Sequence, residues 1–304
     1  VRYNSIAEDI YGRKVTAQGI EDGIFRFLIG LGKKVILANQ LSEVSSTLLD
    51  GNLSELSGLG ALGGLLAFSL QIYFDFSRYS DMAIGIGKCL GFRFPENFNN
   101  PYCCSSVTDF WRRWHISLSS FFRDYVYIPL GGNRVSKYRW IFNTLAVWFL
   151  TGFWHGAAWN FILWGVFYFV ILALEKAFLL RWFEKNRATR AVGHIWALLL
   201  IGIGWMIFDH TNLAEAFAIV GGMFGMGTVG FTSATVSYEL LRCLPLLVVS
   251  VVAATPYPAR LLAKAQDKHP RLAILRPILI GLALLVAMAY MVSGTFSPFL
   301  YYIF

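Results

Sequence analysis

Phe153-Trp-His-Gly-Ala-Ala-Trp-Asn160 lies in the middle of residues 140–174, a run of thirty-five residues between Arg139 and Glu175 that holds no Asp, Glu, Lys or Arg. One bilayer crossing takes about 20 apolar residues, so the run is long enough for two short helical arms joined near Gly156. His155 sits at that join, 16 residues past Arg139. At about 1.5 Å rise per residue this puts it roughly 24 Å along the first arm. Ionisable groups at such depth are costly and usually functional, which makes His155 the candidate working centre.

The rest of the chain has the same solvent. Of its 304 residues, 56% are hydrophobic, 16% aromatic and only 14% charged, with a mean hydropathy of +0.55. That composition excludes an ordinary soluble domain. A period of two is absent, so a membrane barrel is excluded as well, and the fold class is all-α: a polytopic transmembrane helical protein. The formal charge of +8 and pI near 9.4 would also suit a nucleic-acid binder. Here, however, the Lys and Arg fall in short loops between apolar runs, the pattern of anionic-lipid contact and the positive-inside rule. Membrane lipid is the expected partner and nucleic acid is not. Cys89, Cys103, Cys104 and Cys243 form no CxxC pair and have no metal-ligand spacing around them, which reads as reduced packing thiols and no metal site. No signal peptide is visible, and the chain opens on Val1 and a polar stretch. The expectation is one membrane domain over residues 1–304, the C-terminal part of a longer protein.

Going outward from the hairpin, Arg134, Lys137 and Arg139 precede it, and Arg181, Lys185, Arg187 and Arg190 follow it. Both flanks are therefore expected on the cytoplasmic side. Upstream, residues 24–41 are apolar but interrupted by Arg26, Lys33 and Lys34, as in an interfacial or partly inserted helix. Residues 56–74 form a clean span that runs into Asp75-Phe-Ser-Arg78-Tyr-Ser-Asp81, where Arg78 can pair with either carboxylate three residues away. From there to Arg123 the sequence suggests a basic cytoplasmic region without a clear span. Ser106-Val-Thr-Asp109 resembles a capping box, and Trp111, Trp114, His115, Leu118, Phe122 and Tyr125 follow at helical spacing. One helix is expected, lying at the interface or lining a cavity and ended by Pro129 and Gly131-Gly132. Downstream, spans are expected at 195–208, 243–259 and 277–304, while 216–238 reads equally as a span or a re-entrant piece. His194, His210 and His269 lie beside charged loops and read as solvated surface residues.

Several ordered segments carry a resemblance. They are Asp75-Phe-Ser-Arg-Tyr-Ser-Asp81 with Ala83-Ile-Gly85, Leu90-Gly-Phe-Arg-Phe-Pro-Glu-Asn-Phe-Asn99, Asp109-Phe-Trp-Arg-Arg-Trp-His-Ile-Ser-Leu118, Arg123-Asp-Tyr-Val-Tyr-Ile-Pro-Leu-Gly-Gly-Asn-Arg134 and Phe153-Trp-His-Gly-Ala157. Together they resemble the membrane-bound O-acyltransferases, and within them the bacterial alginate and peptidoglycan O-acetyltransferase branch. The resemblance implies a funnel-shaped helical core with interfacial helices, further N-terminal helices in the family, and a family-like C-terminus at Pro298-Phe-Leu-Tyr-Tyr-Ile-Phe304. It also implies an essential histidine at the position of His155 and a second histidine at that of His115. The Arg123 to Gly132 segment is kept where a D-alanyl-transferring relative departs from it, which favours acetyl transfer.

The chemistry then follows. Moving acetyl from a thioester to a hydroxyl requires that the acceptor proton be taken as its oxygen attacks, which a neutral imidazole does. His155 is the expected general base and His115 a second catalytic candidate. The developing oxyanion needs donors, for which Asn143, Trp154 and Asn160 are candidates. Arg112, Arg113 and Arg123 are candidates for binding phosphates of a coenzyme A donor, or equally for plain positive-inside anchoring. No bound cofactor is expected, acetyl-CoA being a donor substrate. The resemblance also implies an exported or periplasmic acetyltransferase partner, a polysaccharide or peptidoglycan acceptor, and the bacterial cytoplasmic (inner) membrane as multi-pass location. The alternatives are D-alanyl transfer to teichoic acid, or a transporter using His155 as a proton relay, for which the expected paired broken helices are not visible.

Overall fold

A computed structural model describes residues 2–51, 55–268 and 275–293. Among them there are fourteen α-helices and no strand. Four helical stretches are long and apolar enough to cross a bilayer: Gly58–Cys89, Trp159–Phe183, Arg187–Asp209 and Ala234–Ala253. The described residues fall into two compact units, the first within 1–44, 67–97 and 242–303, the second within 45–66 and 98–241.

In the first unit, α1 (Tyr3–Gly12) precedes α2 (Ala17–Gly32), which starts where the Thr16 hydroxyl accepts from Gly19 N at 3.0 Å. The helix continues through a π-helical segment, Lys33–Ala38, into α3 (Asn39–Leu49). The wider turn of a π-segment presents adjacent cations to α4 (Gly58–Cys89), with Lys34 2.8 Å from Asp75 and Lys33 2.7 Å from Asp81. Arg26 reaches the same Asp81 at 2.6 Å. Asp75 and Asp81 are both buried, and paired cations are what make buried carboxylates tolerable. Two expectations change here. The span read as ending at residue 74 continues unbroken to Cys89, because ion pairs across to α2 and the π-segment neutralise its carboxylates. Arg78 does pair with Asp75 at 2.9 Å, but Asp81 is held by Arg26 and Lys33. At Gly23 an added Cβ would meet the Gly85 carbonyl oxygen at 2.6 Å, and at Gly85 one would meet that of Gly23 at the same distance. The α2 and α4 backbones therefore touch there.

The C-terminal expectations shift by register. Residues 216–238 are not one span: α11 (Leu213–Met223) ends in a loop with Gly225, Gly227 and Gly230 at positive φ, and α12 (Ala234–Ala253) starts beyond it. The span placed at 243–259 is α12, which begins nine residues earlier and carries Pro245 inside it. It stops short of Pro256, since a residue before proline is pushed out of the helical region. Pro258 then sits in the first turn of α13 (Tyr257–Lys268), where its missing N–H costs nothing. Helix α14 (Leu275–Ser293) covers part of the last uncharged run; residues 294–304 and His269 lie outside the described residues.

Candidate active site

The second unit builds its site from a short broken helix, the hairpin and α10. Helix α5 (Val107–Arg113) starts at Ser106, whose hydroxyl accepts from Asp109 N at 3.0 Å, as the capping pattern implied. Its first amides have a second acceptor. Glu175, at 0% exposure, accepts from Val107 N and Thr108 N, both at 2.8 Å, from Thr108 Oγ1 at 2.7 Å and from Trp196 Nε1 at 3.2 Å. A carboxylate at a helix N-terminus satisfies orphan donors and complements the helix dipole.

The single helix expected from Trp111 to Tyr125 is broken. It resumes as α6 (Ile116–Phe122) and a π-segment, Arg123–Tyr127, after His115, whose φ of 44° is left-handed. Left-handed backbone costs an L-residue with a Cβ roughly 1–2 kcal/mol, and such outliers cluster at functional sites. The break splits the aromatic stripe. Trp114 is buried against Phe110 and Trp205 and Phe122 is buried too, whereas Tyr125 remains exposed. His115 Nδ1 lies 3.3 Å from the Ser117 hydroxyl, and burial pushes its imidazole down to about 4, so it is neutral at physiological pH.

The uncharged run is a hairpin, as read: α7 (Lys137–His155) and α8 (Trp159–Leu174) joined by residues 156–158. Helix α7 does not reach the apolarity of the four spanning stretches, with Lys137, Arg139, Asn143 and Thr144 diluting it. The arms meet backbone to backbone at Gly152 and Gly165. A Cβ on Gly152 would collide with the Phe161 carbonyl, and one on Gly165 with that of Trp148. His155 is the last residue of α7. Its ring centroid lies 4.8 Å from Trp154, 5.2 Å from Trp164, 5.0 Å from Phe208 and 6.2 Å from Phe161. Trp154, 53% exposed, also lies 6.2 Å from His115. One indole is thus flanked by both histidines, forty residues apart in sequence.

The remaining candidates divide. Asn160 is brought to the site: its Nδ2 donates to the Phe208 carbonyl at 2.9 Å, tying the first turn of α8 to the end of α10 (Arg187–Asp209) and seating Phe208 against His155. Asn143 is not. It lies twelve residues before His155, roughly 18 Å along the helix, and its Nδ2 donates to Leu130 O at 3.0 Å and Gly132 O at 3.4 Å, holding the glycine turn. Both amides therefore spend donors on backbone, and the Oδ1 left without a partner in each is an acceptor. Arg113 is paired with Asp109 at 2.9 Å and Arg123 with Asp124 at 2.7 Å, while Arg112 is exposed. His194 is no solvated surface residue: it is half-buried, with Nδ1 2.7 Å from the Cys104 carbonyl, because α10 packs on that loop. His210 is half-buried too, its Nδ1 3.3 Å from the Met206 carbonyl in the helix turn before it. Burial pushes the Cys104 thiol up to about 12, which makes it a packing group. No cluster with metal-ligand character occurs among the described residues. Sequence reasoning missed Glu175, Trp164, Tyr168 and Phe208. Only the i, i+4 spacing of Trp164 and Tyr168 on one face of α8 was there to find.

The membrane-bound O-acyltransferase family profile matches residues 20–213. The chain is 42% identical over 227 residues to a probable alginate O-acetylase AlgI of Azotobacter vinelandii, covering 75% of this chain and 45% of that protein. It is 41% identical over 215 residues to the peptidoglycan O-acetyltransferase of Helicobacter pylori, covering 68% and 39%. To the teichoic acid D-alanyltransferase of Bacillus subtilis it is 30% identical over 199 residues, covering 61% and 48%. It spans less than half the length of each of these relatives. With the family profile covering well over half of its residues, the chain belongs to the membrane-bound O-acyltransferase family.

Proposed function

We propose that this chain belongs to a bacterial cytoplasmic-membrane O-acetyltransferase that takes acetyl from acetyl-CoA for O-acetylation of an exported polysaccharide, such as alginate, or of peptidoglycan. The observation that carries the reading is the pair of histidines flanking Trp154 at the turn of the hairpin. In the reaction the acceptor hydroxyl oxygen attacks the thioester carbonyl while His155 Nε2 or Nδ1 takes its proton. The carbon–sulfur bond then breaks and the imidazolium returns that proton to the departing thiolate, so atoms and charge balance without an acyl-enzyme. His115, fixed by its left-handed backbone with its ring 6.2 Å from that of Trp154, supports the same reaction. The attacking hydroxyl belongs to a first acceptor, from which an exported partner protein takes the acetyl group on its own nucleophile and completes delivery to the polymer. Greater identity to the two acetyl-transferring relatives, 41–42% against 30% for the D-alanyl one, favours acetyl over D-alanyl. The test is His155→Ala in the full-length protein, with ester acetyl on the exported polymer as readout. Loss of acetylation with the protein still in the membrane is expected; wild-type acetylation would overturn the reading.

A further inference from the structure

At the end of α4 the first unit carries a basic cavity that the candidate active site does not use. It encloses about 320 Å³ between the α1–α2 link and the turn after α4, with Arg13, Lys14, Lys88, Arg93 and Asp9 on its lining. A glycine closes it. At Gly91, whose φ is 81°, an added Cβ would lie 3.0 Å from the Lys14 carbonyl oxygen, so turn and link meet backbone to backbone.

The acceptors around the cavity are already spent. Both Asp9 oxygens go to Arg93: Oδ2 accepts from its backbone N at 2.8 Å, and Oδ1 from Nε at 3.0 Å and Nη2 at 2.7 Å. Of the carbonyls that end α4, Gly87 O accepts from Phe92 N at 2.8 Å and Lys88 O from Gly91 N at 3.1 Å. Lys88 itself pairs with Asp22 at 3.0 Å. Two cations are left over. Arg13 holds its guanidinium 4.7 Å from the centre of the Phe92 ring, with Nη1 donating to Ile10 O at 3.1 Å, and neither it nor Lys14 has a carboxylate partner among the described residues. Gly19 brings the first turn of α2 to the lining, and the dipole of that 16-residue helix adds positive potential.

The depth of the cavity selects its ligand. Helix α4 has 32 residues, roughly 48 Å at about 1.5 Å each, enough to cross a bilayer of about 40–45 Å with its headgroups. The residues at its end therefore stand at the level of the lipid phosphates. Apolar side chains stand beside the cations as well: Tyr11, Val15, Ile20 and Leu90, each next in sequence to a lining residue, are all exposed. A soluble anion has no use for them, whereas a lipid does. We propose that this cavity binds the phosphate of an anionic phospholipid, with Arg13 and Lys14 as its charged ligands and the four apolar side chains against the glycerol and acyl chains.

The test is the unfolding midpoint of the delipidated full-length protein in a neutral detergent, titrated with phosphatidylglycerol, phosphatidylcholine or inorganic phosphate. A ligand that binds only the folded state raises the midpoint, and phosphatidylglycerol alone should do so. In Arg13→Gln/Lys14→Gln the phosphatidylglycerol needed for the same rise should increase by about 10-fold or more, with a smaller increase in Lys14→Gln. Both positions are exposed, so the variants keep the fold. Arg187→Gln/Arg190→Gln, which removes the same charge from exposed positions on α10, should titrate like wild type. Equal losses in the two double variants would reduce the effect to general surface charge and overturn the site, as would a wild type that does not respond to phosphatidylglycerol or responds as strongly to phosphatidylcholine. A rise of equal size with millimolar inorganic phosphate, absent in sodium chloride of the same ionic strength, would overturn the lipid as its ligand.

Discussion

Replacing Glu175 should unfasten α5, the helix that ends two residues before His115. Glu175 lies just past α8 with both carboxylate oxygens used twice: Oε1 accepts from Val107 N and Trp196 Nε1, Oε2 from Thr108 N and Thr108 Oγ1. A hydrogen bond to a charged group is worth about 1.5–3 kcal/mol, and a buried charge at a helix end adds up to about 2 kcal/mol. Summing four such bonds overstates the loss, since they are not additive and water can enter; removing one side of a buried ionic arrangement costs about 3–5 kcal/mol. Glu175→Ala should lie in that range. Glu175→Gln should recover little, at about 2–3 kcal/mol lost, because either orientation of the amide turns its NH₂ towards two donors. The assay is thermal unfolding of the full-length protein in detergent, with hydrogen exchange resolved at residues 107–113. Those amides should lose protection before the rest of the bundle, and acyl transfer should fall further than bulk stability. If Glu175→Gln stays within about 0.5 kcal/mol of wild type with α5 exchange unchanged, the anchoring argument is refuted.

Three further outcomes are expected. His115 is held at about 4 in the folded state, below the usual histidine value near 6.5. Its contribution to stability is therefore complete above pH 6.5 and lost as pH falls towards 4, and His115→Asn, which tolerates the left-handed backbone, should flatten that part of the stability curve. Gly165→Ala should cost about 2 kcal/mol or more by unfolding midpoint, as the clash with the Trp148 carbonyl outweighs the gain in helix propensity of about 1 kcal/mol. Gly12→Ala, with open space around it, should be near neutral. Asp81→Asn should cost about 2–3 kcal/mol, since Lys33 and Arg26 lose a buried counter-charge; equal stability of variant and wild type would remove the ion pairs from the account of α4.

What could be read in advance was whatever a local pattern carries. The hairpin and the position of His155 follow from thirty-five uncharged residues with one ionisable group in the middle, and Ser106 signals its own helix start. What depends on distant partners was hidden. Asp81 has Arg78 three residues away, yet its partners come from residues 26 and 33. Glu175 reads as the charge that ends a span, and only the packing of α5 and Trp196 makes it a buried anchor. His115 sits in a perfect helical spacing of aromatics, and nothing local announces that the backbone inverts there. Pro245 reads equally as a kink or as a boundary, and it lies inside α12, as happens when neighbouring helices compensate the lost hydrogen bond.

The glycine contact between α7 and α8 also has a temporal side. Gly152 and Gly165 are thirteen residues apart, so the hairpin closes through local contacts, the kind that form fastest. Phe208 is made fifty-three residues after His155, which at about 5–20 residues per second is several seconds later. During biogenesis His155 therefore first meets only the rings of its own hairpin, and the last face of its enclosure is added by a helix not yet synthesised. A pause in translation or insertion between residues 174 and 208 would leave a folded hairpin with its aromatic flank bare, the stage at which this protein is most open to misassembly with a neighbouring chain.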